Sequence, residues 1–375
     1  MGIRDIIIDY KPGMKITEPC IVRGIPIEVY HKMPALSNSG LKMLLDCPAK
    51  YYYKYLSGEY SAKEKPAFKI GKACHCYILE GKEKFEQNYW HNPYSDYTKT
   101  ELLEILREKC RLLFSSELKF MPLKGRSRIF NYYKLMRLIK SLQAKYGINK
   151  SLKDYLLADI YKILFTLEDI NSSGIELTKN ELNQVIGTAR AIKANKHASA
   201  AFSQKGESEL SIFWQDEESG LQLKCRPDFL PYDCEDIPDY KTCASVNPET
   251  FYKDFLNYGY HIQAAMYREG IKSVTGKTVQ SFFFVAQEKE PPYITQVYIP
   301  DMALIEHGRK AVKNALEVYS ECEKTGIWKT FSDKVIELTI QDKPEELMSN
   351  FDPELGCCYA PKYIDTILQK YEVIL

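Results

Sequence analysis

The spacing of hydrophobic residues changes once along the chain. Up to about residue 197 the apolar positions recur mostly at helical intervals, after short extended pieces over residues 1 to about 33. After Ser208 apolar and polar residues alternate, in an order that predicts strand, strand, strand, helix, strand, strand, helix. This order predicts an α/β fold with a mixed sheet flanked by helices. We expect an N-terminal extended segment, 1–33, and a single domain, 34–375, with a mostly helical insertion at about 95–195.

Two helices are predicted close to the N-terminus. The stretch LSNSGLKMLLD carries a helical stripe of leucines that either Ser37 or Asn38 can cap. The stretch FKIGKACHCYILEG spaces Gly71, His75 and Leu79 by four residues, which places them on one helix face. His75 is therefore presented from a helix.

The second half of the chain contains the clearest helix and turn signals. A Glu-Ser-Gly turn separates two strands in ELSIFWQDEESGLQLKCRPDFL, and Pro291–Pro292 joins another pair. The helix that begins at PETFYKDFL is expected to break or curve near Gly259, and Asp301 is expected to cap a long final helix.

Two acidic strands suggest a candidate site. In LQLKCRPDF the alternation places Arg226 and Asp228 on one face, and in PDYKT it places Asp239 and Lys241 together. An antiparallel hairpin centred between residues 233 and 234 would set Asp228 opposite Asp239. Opposed carboxylates repel, and a hard divalent cation such as Mg²⁺ removes that repulsion. The alternative is an exposed hairpin whose charges keep a sheet edge soluble.

Composition narrows the class of protein. The 375 residues are 45% hydrophobic, which is enough to bury a core. The chain has 51 Lys+Arg and 50 Asp+Glu, and the resulting net charge of +1 argues neither for nor against binding to nucleic acid. Eleven cysteines without a Cys-x-x-Cys pair predict a reduced, cytoplasmic protein. The apolar run Ile6–Ile8 is too short for a signal peptide or a membrane span. A strongly basic segment around Lys124–Lys145 predicts a solvated helix face, with DNA contact as the alternative.

Five motifs occur in an order that resembles a known superfamily. They are LSNSGLKMLLDCPAKYYYKYL, GKACH, RPDFL, DYKT and QAAMY. Together they resemble the PD-(D/E)XK nucleases, more narrowly the RecB-like branch and its exodeoxyribonuclease VIII (RecE-type) group of phages and prophages. The resemblance covers about 35–90 and 197–319.

The resemblance implies a set of site residues. Asp228 and Asp239 match the metal carboxylates and Lys241 the catalytic lysine. His75 and the backbone carbonyl of Tyr240 match further metal ligands. The remaining expected site residues are Gln263 and Tyr267, which share a helix face towards the site or the DNA backbone, and an acidic residue at the start of the sheet, for which Glu207 is slightly preferred over Glu209.

The resemblance also implies cofactors and partners. It predicts dependence on Mg²⁺, with Mn²⁺ as a second candidate, and no iron–sulfur cluster, since Cys47, Cys322, Cys357 and Cys358 lack the usual ligand spacing. It implies exonucleolytic hydrolysis of linear double-stranded DNA from an end, for recombination or repair in a bacterial or phage-infected cell. A ring-shaped homo-oligomer and a single-strand annealing protein are the implied partners. The alternatives are a structure-specific or recruited endonuclease, a non-catalytic DNA-binding or assembly module, and an enzyme acting on another phosphate ester.

Overall fold

The protein is described by a computed structural model over residues 3–60, 67–114, 137–138, 140–141, 157–168 and 172–332. The chain forms two compact units: one joins Met1–His75 to Gly187–Leu375, and the other is Cys76–Ile186. The candidate site residues all belong to the first unit. None of the helices described is long and apolar enough to cross a membrane.

The larger sheet of the first unit has five strands. It contains β1 (Ile7–Asp9), β2 (Cys20–Arg23), β3 (Leu36–Ser37), β7 (Ser211–Gln215) and β8 (Gln222–Cys225), in the order β1-β2-β7-β8-β3. Strands β7 and β8 are the predicted hairpin, and β2 also pairs antiparallel with β7, whereas the outer pairs are parallel. The segment predicted as extended over 1–33 supplies two of these strands, and it also contains a helix.

The smaller sheets carry the acidic motifs. Strands β10 (Asp236–Cys243) and β11 (Ser281–Glu288) are parallel, and β12 (Thr295–Tyr298) returns antiparallel to β11. A separate antiparallel pair joins β6 (Gly206–Ser208) to β9 (Phe229–Pro231). The predicted mixed α/β fold is confirmed.

The predicted pairing of Asp228 opposite Asp239 is wrong. Strand β9 pairs with β6 and β10 pairs with β11, so β9 and β10 share no ladder. Proline explains the difference. Tyr240 points its N–H towards Asp228, and Pro238, two residues earlier, faces the same edge but has no N–H to donate to a partner strand.

Twelve α-helices can be assigned among the described residues. They are α1 (Ile27–Lys32), α2 (Asn38–Asp46), α3 (Pro48–Tyr55), α4 (Ala67–His75), α5 (Lys82–Asn88), α6 (Lys99–Phe114), α7 (Leu157–Glu168), α8 (Lys179–Ala194), α9 (Lys196–Phe202), α10 (Pro248–Asn257), α11 (Tyr260–Thr275) and α12 (Met302–Thr325). The predicted caps are present, since Ser37 accepts a hydrogen bond from Gly40 N and Asp301 accepts one from Leu304 N. The predicted break separates α10 from α11 at Gly259, which has a φ of 63°.

The core of the first unit packs helices against both sheets. Leu41 and Leu44 of α2, Phe255 of α10, and Phe282 and Phe284 of β11 belong to one buried cluster. Strand β10 crosses this cluster, so the Asp-Tyr-Lys motif stands on a rigid element.

The second unit is smaller and mostly helical. Helices α6 and α7 bury Leu102, Leu106, Ile160 and Leu164 in a cluster of their own. Strand β4 (Tyr89–His91) pairs parallel with β5 (Ile175–Leu177). The mostly helical insertion at about 95–195 stays a prediction. The basic segment around Lys124–Lys145 lies almost wholly outside the described residues, as do Cys357 and Cys358.

Candidate active site

Asp239 and Lys241 form the buried end of the site. They are alternate residues of β10 and share one face of it. Asp239 is only 1% exposed, its Oδ2 is ion-paired with Lys241 Nζ, and its Oδ1 accepts a hydrogen bond from Gln263 Nε2 at 2.5 Å. Lys241 Nζ also lies 5.1 Å from the centroid of the Tyr260 ring. Both oxygens of Asp239 are therefore held by groups on β10 and α11.

Asp228 connects this end of the site to the next. It lies in the break between β8 and β9, where Pro227 ends the ladder. Its Oδ2 accepts the backbone N–H of Tyr240 at 2.7 Å, and its Oδ1 lies 3.1 Å from His75 Nε2. Because Tyr240 stands between Asp239 and Lys241, this hydrogen bond fixes Asp228 beside the Asp-Tyr-Lys motif.

His75 and Glu209 complete the open end. His75 is the last residue of α4, and its Nδ1 lies 3.5 Å from Glu209 Oε1. One ligand atom each from His75, Glu209 and Asp228 falls within 4.8 Å of the others. The sequence predicted His75 and Asp228 at one site, and these two residues do lie together.

A strained backbone directs Glu209 into the site. Its φ is 59°, a left-handed conformation that is uncommon outside glycine. Its N–H donates to the carbonyl of Asp228 at 3.3 Å, while its carboxylate also lies 3.9 Å from Arg226 Nη1. The turn at Glu209 ends the β6 ladder and brings its side chain towards His75.

The structure brings Glu209, and not the slightly preferred Glu207, next to His75 and Asp228. Glu207 receives two hydrogen bonds from Arg23, at 2.5 and 2.7 Å, and one from the hydroxyl of Tyr232 at 2.8 Å. Its carboxylate is thus occupied at a different place, and the acidic role of either glutamate stays a prediction. A strand pattern alone predicts the same face for residues 207 and 209, so the sequence contained no signal that separates them.

Of the residues Tyr240, Gln263 and Tyr267, Gln263 is the one whose side chain contacts a site carboxylate. The Tyr240 hydroxyl donates a hydrogen bond to Gln287 Oε1 at 2.6 Å, and the Tyr240 backbone N–H donates one to Asp228. The role of the Tyr240 carbonyl as a metal ligand stays a prediction. The ring of Tyr267 packs edge-on against Phe282 with centroids 6.1 Å apart. Gln263 alone of the Gln-x-x-x-Tyr pair has a hydrogen bond to a site carboxylate, and a DNA contact by Tyr267 stays a prediction.

The charges of the site alter one another's ionisation. Burial disfavours the imidazolium of His75, but Asp228 and Glu209 outweigh it and raise the pKa of His75 to about 9. Burial opposes ionisation of Asp228 too, yet the charge and hydrogen bond of His75 hold the pKa of Asp228 below its ordinary value.

The Asp239–Lys241 pair is shifted as well. Burial, followed by repulsion from Asp228, raises the pKa of Asp239. Burial disfavours the ammonium of Lys241, but Asp239 and Asp228 outweigh it and raise the pKa of Lys241. Three carboxylates therefore share a small volume in which added positive charge is favourable.

The donor set fits a divalent cation that prefers oxygen ligands. Glu209 and Asp228 offer carboxylate oxygens and His75 offers an imidazole nitrogen, a combination suited to Mg²⁺ or Mn²⁺. The neighbouring thiol of Cys74 is fully buried and accepts a hydrogen bond from Thr188 Oγ1 at 3.4 Å. Burial also raises the pKa of Cys74, so a thiolate site is disfavoured there.

A comparison with protein families identifies the family of the chain. A family model for a PDDEXK-like domain of unknown function (DUF3799) matches residues 146–338, a range that contains every candidate site residue except His75. A search of curated proteins found no match.

Several solved structures are similar to the chain, and two of them illustrate the range of similarity. A provisionally named exonuclease from Eubacterium rectale is 15% identical, with 88% of this chain and 97% of that chain covered and a TM-score of 0.49. A protein called SSO0001 is 16% identical, with 61% of this chain and 94% of that chain covered and a TM-score of 0.22.

Proposed function

Because the chain belongs to the PDDEXK-like family of nuclease-type domains, we propose that it is a metal-dependent deoxyribonuclease that hydrolyses linear double-stranded DNA from an end. The observation that carries the proposal is the convergence of His75, Glu209 and Asp228 within 4.8 Å, next to the buried pair Asp239–Lys241. Three metal ligands next to the ammonium of Lys241 form a combination that suits hydrolysis of a phosphodiester.

The open end of the site would hold the cation. Glu209, Asp228 and His75 would bind one or two ions of Mg²⁺ or Mn²⁺, with Asp239 on the inner side. A bound ion would lower the pKa of a water molecule and neutralise charge on the phosphodiester. His75 would have to give up its proton to hold a cation, since only the neutral imidazole is a ligand.

The buried end would orient the reacting groups. Gln263 Nε2 holds Asp239 Oδ1, which leaves Asp239 Oδ2 to face Lys241. The ammonium of Lys241 is thereby fixed beside the phosphodiester site, where it stabilises negative charge that develops in the transition state or orients the attacking water. Its raised pKa keeps it charged at neutral pH.

The proposed substrate, oligomeric form and partner rest on the resemblance of the five motifs. They are DNA ends, a ring-shaped homo-oligomer and a single-strand annealing protein. The role that follows is the resection of DNA ends for phage-type recombination or repair.

Degradation of two DNA forms tests the proposal. Linear duplex and covalently closed circular DNA are incubated with Mg²⁺ or Mn²⁺ and wild-type protein, Lys241→Ala or Lys313→Ala. Lys313 is the control because its Nζ pairs with Glu218 at 2.6 Å and both side chains are exposed. We expect hydrolysis of the linear form alone, at least about 100-fold slower for Lys241→Ala and unchanged for Lys313→Ala.

The other outcomes separate the alternatives. Cleavage of the circle would identify an endonuclease. Binding of DNA without hydrolysis of either form, with both metals, would identify a non-catalytic module.

A further inference from the structure

Lys42 places a second ammonium group at the kink between α10 and α11. Its Nζ donates to the carbonyl of Tyr258 at 2.7 Å, although Lys42 belongs to α2, more than 200 residues earlier. Gly259 makes this contact feasible, because a Cβ at Gly259 would lie 2.6 Å from Lys42 Cδ. The stem of Lys42 therefore packs against the kink, in the space that a side chain at residue 259 would occupy.

The same kink receives the ammonium of Lys241. Lys241 Nζ lies over the ring of Tyr260, and Tyr258 and Tyr260 flank Gly259. The two cations therefore approach the segment 258–260 from α2 and from β10. Lys241 is neutralised by Asp239, whereas within the described part of the chain Lys42 has no carboxylate partner.

An unneutralised, half-buried ammonium is energetically costly. Burial and the charge of Lys241 lower the pKa of Lys42 to about 8, against a weaker attraction from Asp239. One backbone carbonyl satisfies only one of its three N–H donors. An anion brought to this position would relieve both the missing hydrogen bonds and the repulsion.

We propose that Lys42 binds a phosphate of the DNA backbone next to the phosphate that is hydrolysed, and so positions the strand in the site. This inference rests on the proposed function, which supplies the anionic polymer. Lys42 is half-buried, and its ammonium contacts the same segment, 258–260, as the ammonium of Lys241. Lys42 is a phosphate-binding residue in this assignment and takes no part in proton transfer.

The salt dependence of DNA binding tests the contact directly. Binding of a linear duplex of about 30 base pairs is measured in EDTA over a series of salt concentrations for wild type, Lys42→Gln, Lys42→Arg and Lys313→Gln. Each phosphate contact in B-DNA contributes about −0.9 to the slope of log K against log salt concentration. We expect Lys42→Gln to reduce the slope by about 0.9, and Lys42→Arg and Lys313→Gln to keep the wild-type slope.

The choice of glutamine separates binding from a structural role. The side-chain amide in Lys42→Gln would keep an N–H donor for the Tyr258 carbonyl while removing the charge, so a role limited to fixing the kink predicts an unchanged slope. An unchanged slope in Lys42→Gln, with wild-type melting temperature, overturns the inference. Hydrolysis is assayed separately: wild type that binds DNA but never hydrolyses it would refute the proposed function and leave the slope test intact.

Discussion

Glu207 and Glu209 are separated by one serine, yet their carboxylates make unrelated contacts. In a continuous strand they would share a face, but the left-handed φ of Glu209 breaks the alternation. Glu207 is consequently free to bind Arg23, while Glu209 faces His75. A single backbone dihedral decides which glutamate lies beside His75, and sequence patterns do not report it.

Neutralising each glutamate separates the two roles. Glu209→Gln removes a carboxylate from the group that includes His75 and Asp228, and we expect the rate of linear DNA hydrolysis to fall about 100-fold. Glu207→Gln weakens the partly exposed contacts with Arg23 and Tyr232, and we expect a loss of up to about 1 kcal/mol in the free energy of unfolding with normal kcat. Steady-state kinetics measures the hydrolysis rate of each variant, and urea denaturation measures its free energy of unfolding. A larger kcat defect in Glu207→Gln would return the acidic role to that residue.

Gln263 supports the site without carrying charge. Gln263→Leu would leave Asp239 Oδ1 without its 2.5 Å donor inside a buried environment. We expect kcat to fall about 10- to 100-fold, as for other residues that orient a metal-site carboxylate. Glu269→Gln is the matched control, since Glu269 is an exposed residue of the same helix. Equal activity of Gln263→Leu and the control would show that β10 alone positions Asp239.

Features of helices and strands that depend on neighbouring residues were predicted correctly, whereas the strand partner of β10 was not. The caps at Ser37 and Asp301 and the break at Gly259 depend on neighbouring residues, which a sequence displays directly. The partner of β10 depends on β11, about 40 residues farther along, and on the missing N–H of Pro238. The hairpin prediction failed because short-range alternation carries no information about such distant pairing.

The contact between α11 and α12 contains a pair of histidines that the sequence did not single out. The rings of His261 and His307 stack with centroids 4.9 Å apart, and both residues are buried. A Cβ at Gly308 would clash with the carbonyl of His261, so the helices approach closely. Burial, and then the charges of His307 and Lys42, lower the pKa of His261 to about 3.

This shift predicts acid sensitivity. The folded protein keeps His261 neutral while the unfolded chain binds a proton near its ordinary pKa of 6.5, so the stabilisation is present above pH 6.5 and is lost as the pH falls towards 3. Between pH 6.5 and about pH 5 we expect wild type to lose about 2 kcal/mol of unfolding free energy more than His261→Phe. Urea denaturation at both pH values measures the difference. Parallel losses in the two proteins would mean that His261 is not the group responsible.

Residues from distant parts of the chain lie together at the candidate site. His75 ends α4, Glu209 follows β6, Asp228 precedes β9, and Asp239 belongs to β10. The sequence predicted the superfamily because the order of motifs is preserved along the chain. It could not predict Lys42 at the Tyr258 carbonyl, since that contact joins α2 to a kink more than 200 residues away.

Metal binding is therefore expected to stabilise the whole fold rather than one loop. Burial, and then repulsion from Asp228, raises the pKa of Asp239 in the folded protein, and the carboxylates separate on unfolding. A cation that binds only the folded state adds about 2.7 kcal/mol when its free concentration is about 100 times its Kd. We expect Mg²⁺ or Mn²⁺ to raise the melting temperature of wild type, EDTA to reverse the rise, and Asp228→Asn to abolish it. Glu218→Gln, which removes an exposed carboxylate paired with Lys313, should respond as wild type does. If Asp228→Asn gained the same stabilisation, the ions would be acting at other carboxylates, and the three ligands at His75, Glu209 and Asp228 would not form the metal site.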